Sequence, residues 1–164
     1  MSAASAEVRM LDAGYQREAC SLLYHAYRHE PTFAYLLEAT RSGFDSRVRA
    51  TVRELVNQHF AEELPAIGVL INERLLGIAL IAPPQRCLGL GESWSWSWQL
   101  RMLLGIGLRC TRRYLDYHVA VQTGLPPGPF HRLPLLGIHP EFQGQHLGAQ
   151  LLQAVHAWCA EDDS

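Results

Sequence analysis

Apolar and polar positions change period several times along the chain, and each change marks an element. Residues 7–11, EVRML, form a short strand-like run. Asp12 follows where a helix N-cap would stand, its carboxylate placed to accept from the next turn's free amides. Tyr15, Ala19, Leu22, Leu23, Ala26 and Tyr27 then recur at helical spacing and predict a helix over 13–29. Pro31 ends that helix or opens the next turn. A second helix follows Asp45, with Val48, Val52, Leu55, Val56 and Phe60 on one face.

The clearest β signal is AIGVLINERLLGIALIAPP, residues 66–84. Two aliphatic runs flank the polar turn Asn72–Glu73–Arg74, the pattern of an antiparallel hairpin, and Pro83–Pro84 stop it. Residues 96–121 return to helical character, with Arg109, Arg112 and Arg113 on a solvated face. GLPPGP, 124–129, is a tight loop, and a strand follows over about 131–138. Leu147, Leu151, Ala154, Val155 and Trp158 share one stripe of a closing helix whose first turn is QGQHLGA. The order strand, helix, helix, hairpin, inserted helix, strand, helix predicts an α/β (α+β) domain. Its central sheet is mixed and mostly antiparallel, not doubly wound and parallel.

Composition narrows the class. With 164 residues, 48% of them hydrophobic and 18% charged, the chain is one domain's worth of ordinary globular protein. A net charge of −2 leaves no electrostatic footprint for nucleic acid. All 14 basic residues are arginine, so no step can use a lysine amine. Cys20, Cys87, Cys110 and Cys159 are scattered and read as free thiols of a reducing compartment. The N-terminus lacks signal-peptide regions, and the longest apolar run, 100–108, is too short to span a bilayer. The expectation is a cytoplasmic protein with neither nucleic acid nor membrane as partner.

The chemistry concentrates in LLGIHPEFQGQHLGAQLL, residues 135–152, a strand, a turn and a helix. A helix N-terminus leaves about four N–H groups without partners and carries roughly half a positive charge. Gly144 and Gly148 clear side chains from that end, so the stretch reads either as a main-chain anion site or as a plain tight turn. The turn has neither Lys nor Ser/Thr, which argues against a metal-bound triphosphate of the P-loop kind and favours a metal-free diphosphate as the anion.

Gln143-x-x-x-x-Gly148-Ala149, directly after a strand ending in Leu136-Gly137-Ile138 and Pro140, resembles the acetyl-CoA motif of the GNAT superfamily of N-acetyltransferases. That motif reads Gln/Arg-x-x-Gly-x-Gly/Ala. The element order upstream is similar to the same family's first half. His146 departs from it, standing where the motif's first glycine usually sits. The resemblance implies a GNAT-like fold spanning 1–164 as a single domain, with a helical insertion at 93–128 before the motif strand. It implies acetyl-CoA as co-substrate and acetyl transfer to a primary amine of a small molecule or peptide. Leu136, Gly137, Ile138, Gln143, Gly144, Gln145, His146, Leu147, Gly148 and Ala149 would hold the cofactor. The Leu136 N–H would face the developing oxyanion. His131, at the start of the motif strand, is the candidate base.

Family members continue past this helix with further strands and a helix whose tyrosine commonly protonates the leaving thiolate. Here the sequence ends at Ser164, which leads to the expectation of a fragment, or of a sheet edge completed by a partner chain as a homodimer. A CoA-binding but catalytically incompetent domain is the alternative. Pro134 inside the motif strand would be tolerated at a bulge or an edge, the alternative being that the strand starts only after Pro134. His25-x-x-x-His29-Glu30 lacks the intervening glutamate of a zinc helix, and no metal is expected. Trp94, Trp96 and Trp98 read as core or interface residues, with an acceptor pocket as the alternative.

Overall fold

The computed structural model describes residues 6–84 and 95–162. Cys87 and Trp94 fall outside them. Four strands form one antiparallel sheet in the order β1-β2-β3-β4: β1 is Glu7–Met10, β2 Ala66–Ile71, β3 Arg74–Ala82 and β4 Arg132–Ile138. The helices are α1 (Gln16–Tyr27), α2 (Pro31–Leu36), α3 (Phe44–Ala61), α4 (Trp96–Thr123) and α5 (Leu147–Asp162).

Alternation along the central strands sorts their side chains to two faces. Leu70, Ile78, Leu80 and Leu135 join α1, α2, α3 and α4 in the larger core. Ile67, Val69, Leu76, Ala79 and Ile81 meet Leu147, Leu151 and Val155 of α5 on the other face. The sheet is thus a middle layer between four helices and one.

The two-residue hairpin turn is Asn72–Glu73, with φ of 52° and 62°. Paired left-handed residues match the twist of a hairpin. Arg74, expected in that turn, instead opens β3 opposite Ile71. Asp12 caps a 3-10 turn, Ala13–Tyr15, by accepting from Gly14 N at 2.7 Å, so the first helix proper begins at Gln16. Pro31 does open an element. It is the first residue of the short α2, capped by the Glu30 carboxylate, which accepts from Phe33 N at 2.8 Å.

Helix α4 buries Trp98, Met102, Ile106, Cys110 and Tyr114, one residue per turn, and kinks at Gly107. Trp98 packs near Tyr114, whereas Trp96 is 88% exposed, so the tryptophan run is divided between core and solvent. The arginine face predicted to be solvated is docked. Arg109 and Arg113 reach the Glu38 carboxylate at 3.0 and 4.0 Å, and Arg41 reaches it at 3.0 Å. These charges hold the Glu38 carboxyl below its ordinary range, the Arg41 hydrogen bond contributing most. Arg112 remains exposed.

Candidate functional site at the outer edge of β4

Strand β4 pairs with β3 on one side and with no strand on the other among the described residues. His139 N donates to Leu76 O at 2.8 Å, and Ile138 stands opposite Gly77, Gly137 opposite Ile78 and Leu136 opposite Ala79. Antiparallel pairs alternate between bonded and non-bonded. Leu136 and Ile138 therefore aim their N–H and C=O groups away from β3. Closer to the strand start, Leu135 faces Leu80 while Arg132 faces Ala82, so Leu133 and Pro134 together oppose Ile81. Pro134 thus sits in a bulge on an edge strand, where its missing donor breaks no ladder.

Against this edge lies a cleft of about 420 Å³, lined by Ala26, Tyr27 and Glu30 near the end of α1 and by Leu136, Gly137, Ile138 and Gln143. Gly137 lets the helix come close: a Cβ there would stand 2.9 Å from Ala26 Cβ and 3.2 Å from Leu23 Cδ2. The Tyr27 hydroxyl occupies the strand edge. It donates to Leu136 O and accepts from Leu136 N, both at 3.2 Å. Burial pushes the Tyr27 hydroxyl's pKa up, and the bond from the Leu136 N–H, which favours the phenolate, offsets part of that rise. The tyrosine therefore stays protonated at neutral pH. Gln143 Nε2 donates to Ile138 O at 3.4 Å.

Beyond the strand, His139 starts a 3-10 turn, Pro140–Phe142. Gly144 and His146 then adopt left-handed φ of 80° and 61°. Left-handed residues cannot belong to a right-handed helix. So α5 begins at Leu147, later than the sequence pattern indicates. The departure that puts histidine in place of glycine has a real backbone cost, because position 146 does require positive φ. The N–H groups of Gly144, Gln145, His146, Leu147, Gly148 and Ala149 donate to no acceptor among the described residues. Gln150 N is the first to bond, to His146 O at 3.2 Å. Packing does not account for Gly148, whose added Cβ would meet only Ile138 Cγ1 at an ordinary 3.8 Å. A main-chain edge and a helix N-terminus, both with free donors, are therefore joined by one turn.

His131 is held elsewhere. Its Nε2 lies 2.9 Å from Asp162 Oδ2, its ring stands edge-on to Trp158, and it does not line the cleft. His25 faces His139, with ring centroids 5.8 Å apart. Among the described residues no group of three or more His, Cys, Asp or Glu is arranged to hold a metal, and no helix is long and apolar enough to cross a membrane. Sequence reasoning missed Tyr27 and Glu30 as cleft residues. Tyr27 reads as one more apolar position of the helical stripe, and Glu30 as a bystander before Pro31. Their place beside β4 depends on a contact across 109 residues of chain.

No family model matches the chain, and no curated protein resembles it in sequence. Solved structures do match in shape. A protein from Corynebacterium glutamicum, of the kind "histone acetyltransferase HPA2 and related acetyltransferase", superposes with a TM-score of 0.67 at 17% identity, over 93% of this chain and 71% of that one. A GNAT family acetyltransferase from Brucella melitensis, in complex with acetyl-CoA, matches with 0.53 at 12% identity, over 98% and 71%. Arylalkylamine N-acetyltransferase 2 from Aedes aegypti matches with 0.57 at 12% identity, over 96% and 72%. At such identities the likeness is one of architecture, and it agrees with the sheet, the strand edge and the turn described above: the chain has the GNAT acetyltransferase fold.

Proposed function

We propose that this chain binds acetyl-CoA along the β4 edge and transfers the acetyl group to a primary amine. The observation that carries the reading is the set of unsatisfied main-chain donors at Gly144–Ala149, at the N-terminus of α5, one turn beyond the outward-facing N–H of Ile138. A diphosphate fits the amides of Gly144–Ala149 and the positive end of the helix without a cationic side chain. The bound acetyl-CoA of the Brucella melitensis structure supports the same ligand on this fold. An amide-bearing arm fits beside Leu136, Gly137 and Ile138 as an added strand would. On this reading residues 93–128 are an insertion in a single domain.

The oxyanion donor is the Leu136 N–H, which needs no side chain. The Tyr27 hydroxyl stands at that donor now and has to rotate aside, which leaves a protonated phenol next to the sulfur. In the transfer, the amine nitrogen bonds to the thioester carbonyl carbon. The C–S bond breaks with its electron pair going to sulfur. The amine loses one proton and the thiolate gains one. Tyr27 is the proposed donor to sulfur. Glu30, the only carboxylate among the cleft residues, is the proposed receiver of the amine's proton. His131 precedes Leu136 by five residues, roughly 15 Å of strand, so it can act as base only through water.

A second reading, CoA binding without transfer, draws on two contacts. The Leu136 N–H is already engaged by Tyr27, and Glu30 is engaged in capping α2. Calorimetry with CoA, followed by thiol release over a panel of primary amines, tests both. Binding with turnover supports the enzyme, binding without turnover supports the second reading, and no binding at millimolar CoA removes both.

A further inference from the structure

A second cleft lies between α1 and α3 and shares no lining residue with the first. It encloses about 520 Å³, and its walls carry Arg17, Tyr24, Arg49, Arg53 and Asn57. Six other arginines are matched to acids, among them Arg9 to Glu73 at 2.7 Å, Arg101 to Glu54 at 2.7 Å and Arg109 to Glu38 at 3.0 Å, whereas Arg47, Arg74, Arg112 and Arg132 lie apart from one another on different elements, without an acid among the described residues. Arg17, Arg49 and Arg53 pair with no carboxylate among the described residues. No acid lines this cleft either.

Three like charges around one concavity oppose each other. Arg49 and Arg53 also sit one turn apart on α3, an arrangement that weakens a helix by a few tenths of a kcal/mol. One of the three is held in place: the Arg49 guanidinium lies 3.7 Å from the centre of the Tyr24 ring. That ring is itself buried, and its hydroxyl donates to Asp45 Oδ1 at 3.1 Å. Gln16 Nε2 donates to Asn57 Oδ1 at 2.6 Å, which ties the two helices together at the cleft.

We propose that this cleft binds a small organic polyanion carrying two or more phosphate or carboxylate groups. Each guanidinium offers parallel N–H donors that match either group bidentately. The volume is that of a small-molecule site. Such an anion neutralises the repulsion between the two helices, so its binding also clamps α1 to α3. The site stands apart from the acetyl-CoA reading and does not depend on it.

Cys20 lines the same cleft as a half-buried free thiol and serves as a local reporter. The test is the rate of Cys20 alkylation by iodoacetamide, followed by peptide mass spectrometry, with pyrophosphate or citrate added at constant ionic strength. Saturating protection of about tenfold is expected from at least one of the two anions. Pyrophosphate alone points to phosphate ligands, citrate alone to carboxylates. The Arg17→Gln/Arg53→Gln double variant should lose the protection while keeping the wild-type melting temperature, since both side chains are exposed. An unchanged rate with both anions up to about 10 mM, where a ligand of even weak affinity would be bound, overturns the proposal. So does protection matched by sodium chloride, or protection that persists undiminished in the double variant.

Discussion

The Tyr27 hydroxyl stands 3.2 Å from both the main-chain nitrogen and the main-chain oxygen of Leu136, accepting from one and donating to the other. One side chain thus provides the two contacts a neighbouring strand would make at that residue. The contact seals an exposed sheet edge at the point where the proposed acyl arm has to lie, and it ties the end of α1 to β4.

Tyr27→Phe separates these roles. It deletes one oxygen and keeps the ring that packs on Phe33. A stability loss of about 1 kcal/mol is expected in thermal or denaturant melts. CoA affinity by calorimetry should stay equal or improve, because the edge no longer has to be vacated. If the phenol serves the leaving sulfur, kcat for thiol release falls by about tenfold or more. Weaker CoA binding in this variant would show that the hydroxyl contacts the ligand instead of holding its place.

Gly137→Ala tests the close approach of α1. The new Cβ would stand 2.9 Å from Ala26 Cβ, on rigid elements that cannot give cheaply. A loss of roughly 1–3 kcal/mol is expected. Adding Ala26→Gly should recover part of it, because the two positions are in contact and non-additive. Full additivity in chemical melts would place the damage elsewhere.

The turn before α5 makes two predictions of opposite sign. Gly144 has φ of 80° and His146 has φ of 61°. Gly144→Ala should cost about 1 kcal/mol and weaken CoA binding, whereas His146→Gly should relieve a comparable strain. Melting temperatures and calorimetry read both. A destabilised His146→Gly would mean the imidazole contributes a contact worth more than the strain.

The pH dependence of stability follows from His59. Its ring is buried, and its Nε2 lies 3.0 Å from Pro65 O. Burial lowers its pKa below the ordinary 6.5, so the unfolded chain binds the proton more readily than the folded one. The stability is present above pH 6.5 and is lost as the pH falls through that value. His118, also lowered chiefly by burial, has the same sign. Glu38 adds its own loss only below the ordinary carboxylate value of 4.5. The melting temperature should drop as the pH falls below the ordinary histidine value of 6.5. His59→Gln should flatten that slope, whatever it does to stability at pH 8. An unchanged slope in both His59→Gln and His118→Gln would sink the assignment.

Local periodicity determined most of the architecture. The two aliphatic runs of 66–82 become β2 and β3, the stripe Leu147, Leu151, Val155 becomes the buried face of α5, and Pro134 takes the bulge that was one of its two readings. Each of these depends on residues within a few positions of one another, so the chain's own order contains them. The strand and turn that carry the proposed cofactor site, Leu136–Ala149, were legible for the same reason.

Tertiary structure alone decided the rest. Whether His146 would be helical or left-handed turned on how β4 hands over to α5. Arg109 and Arg113 of α4 looked solvated until the turn after α2 supplied Glu38. Tyr27 and Glu30 became cleft residues, and Arg17 came to face Arg49 and Arg53, only when α1 was packed against β4 on one side and α3 on the other. A periodic pattern says which face of an element turns inward, but not which distant element it will meet. The chemistry of a site depends on that meeting.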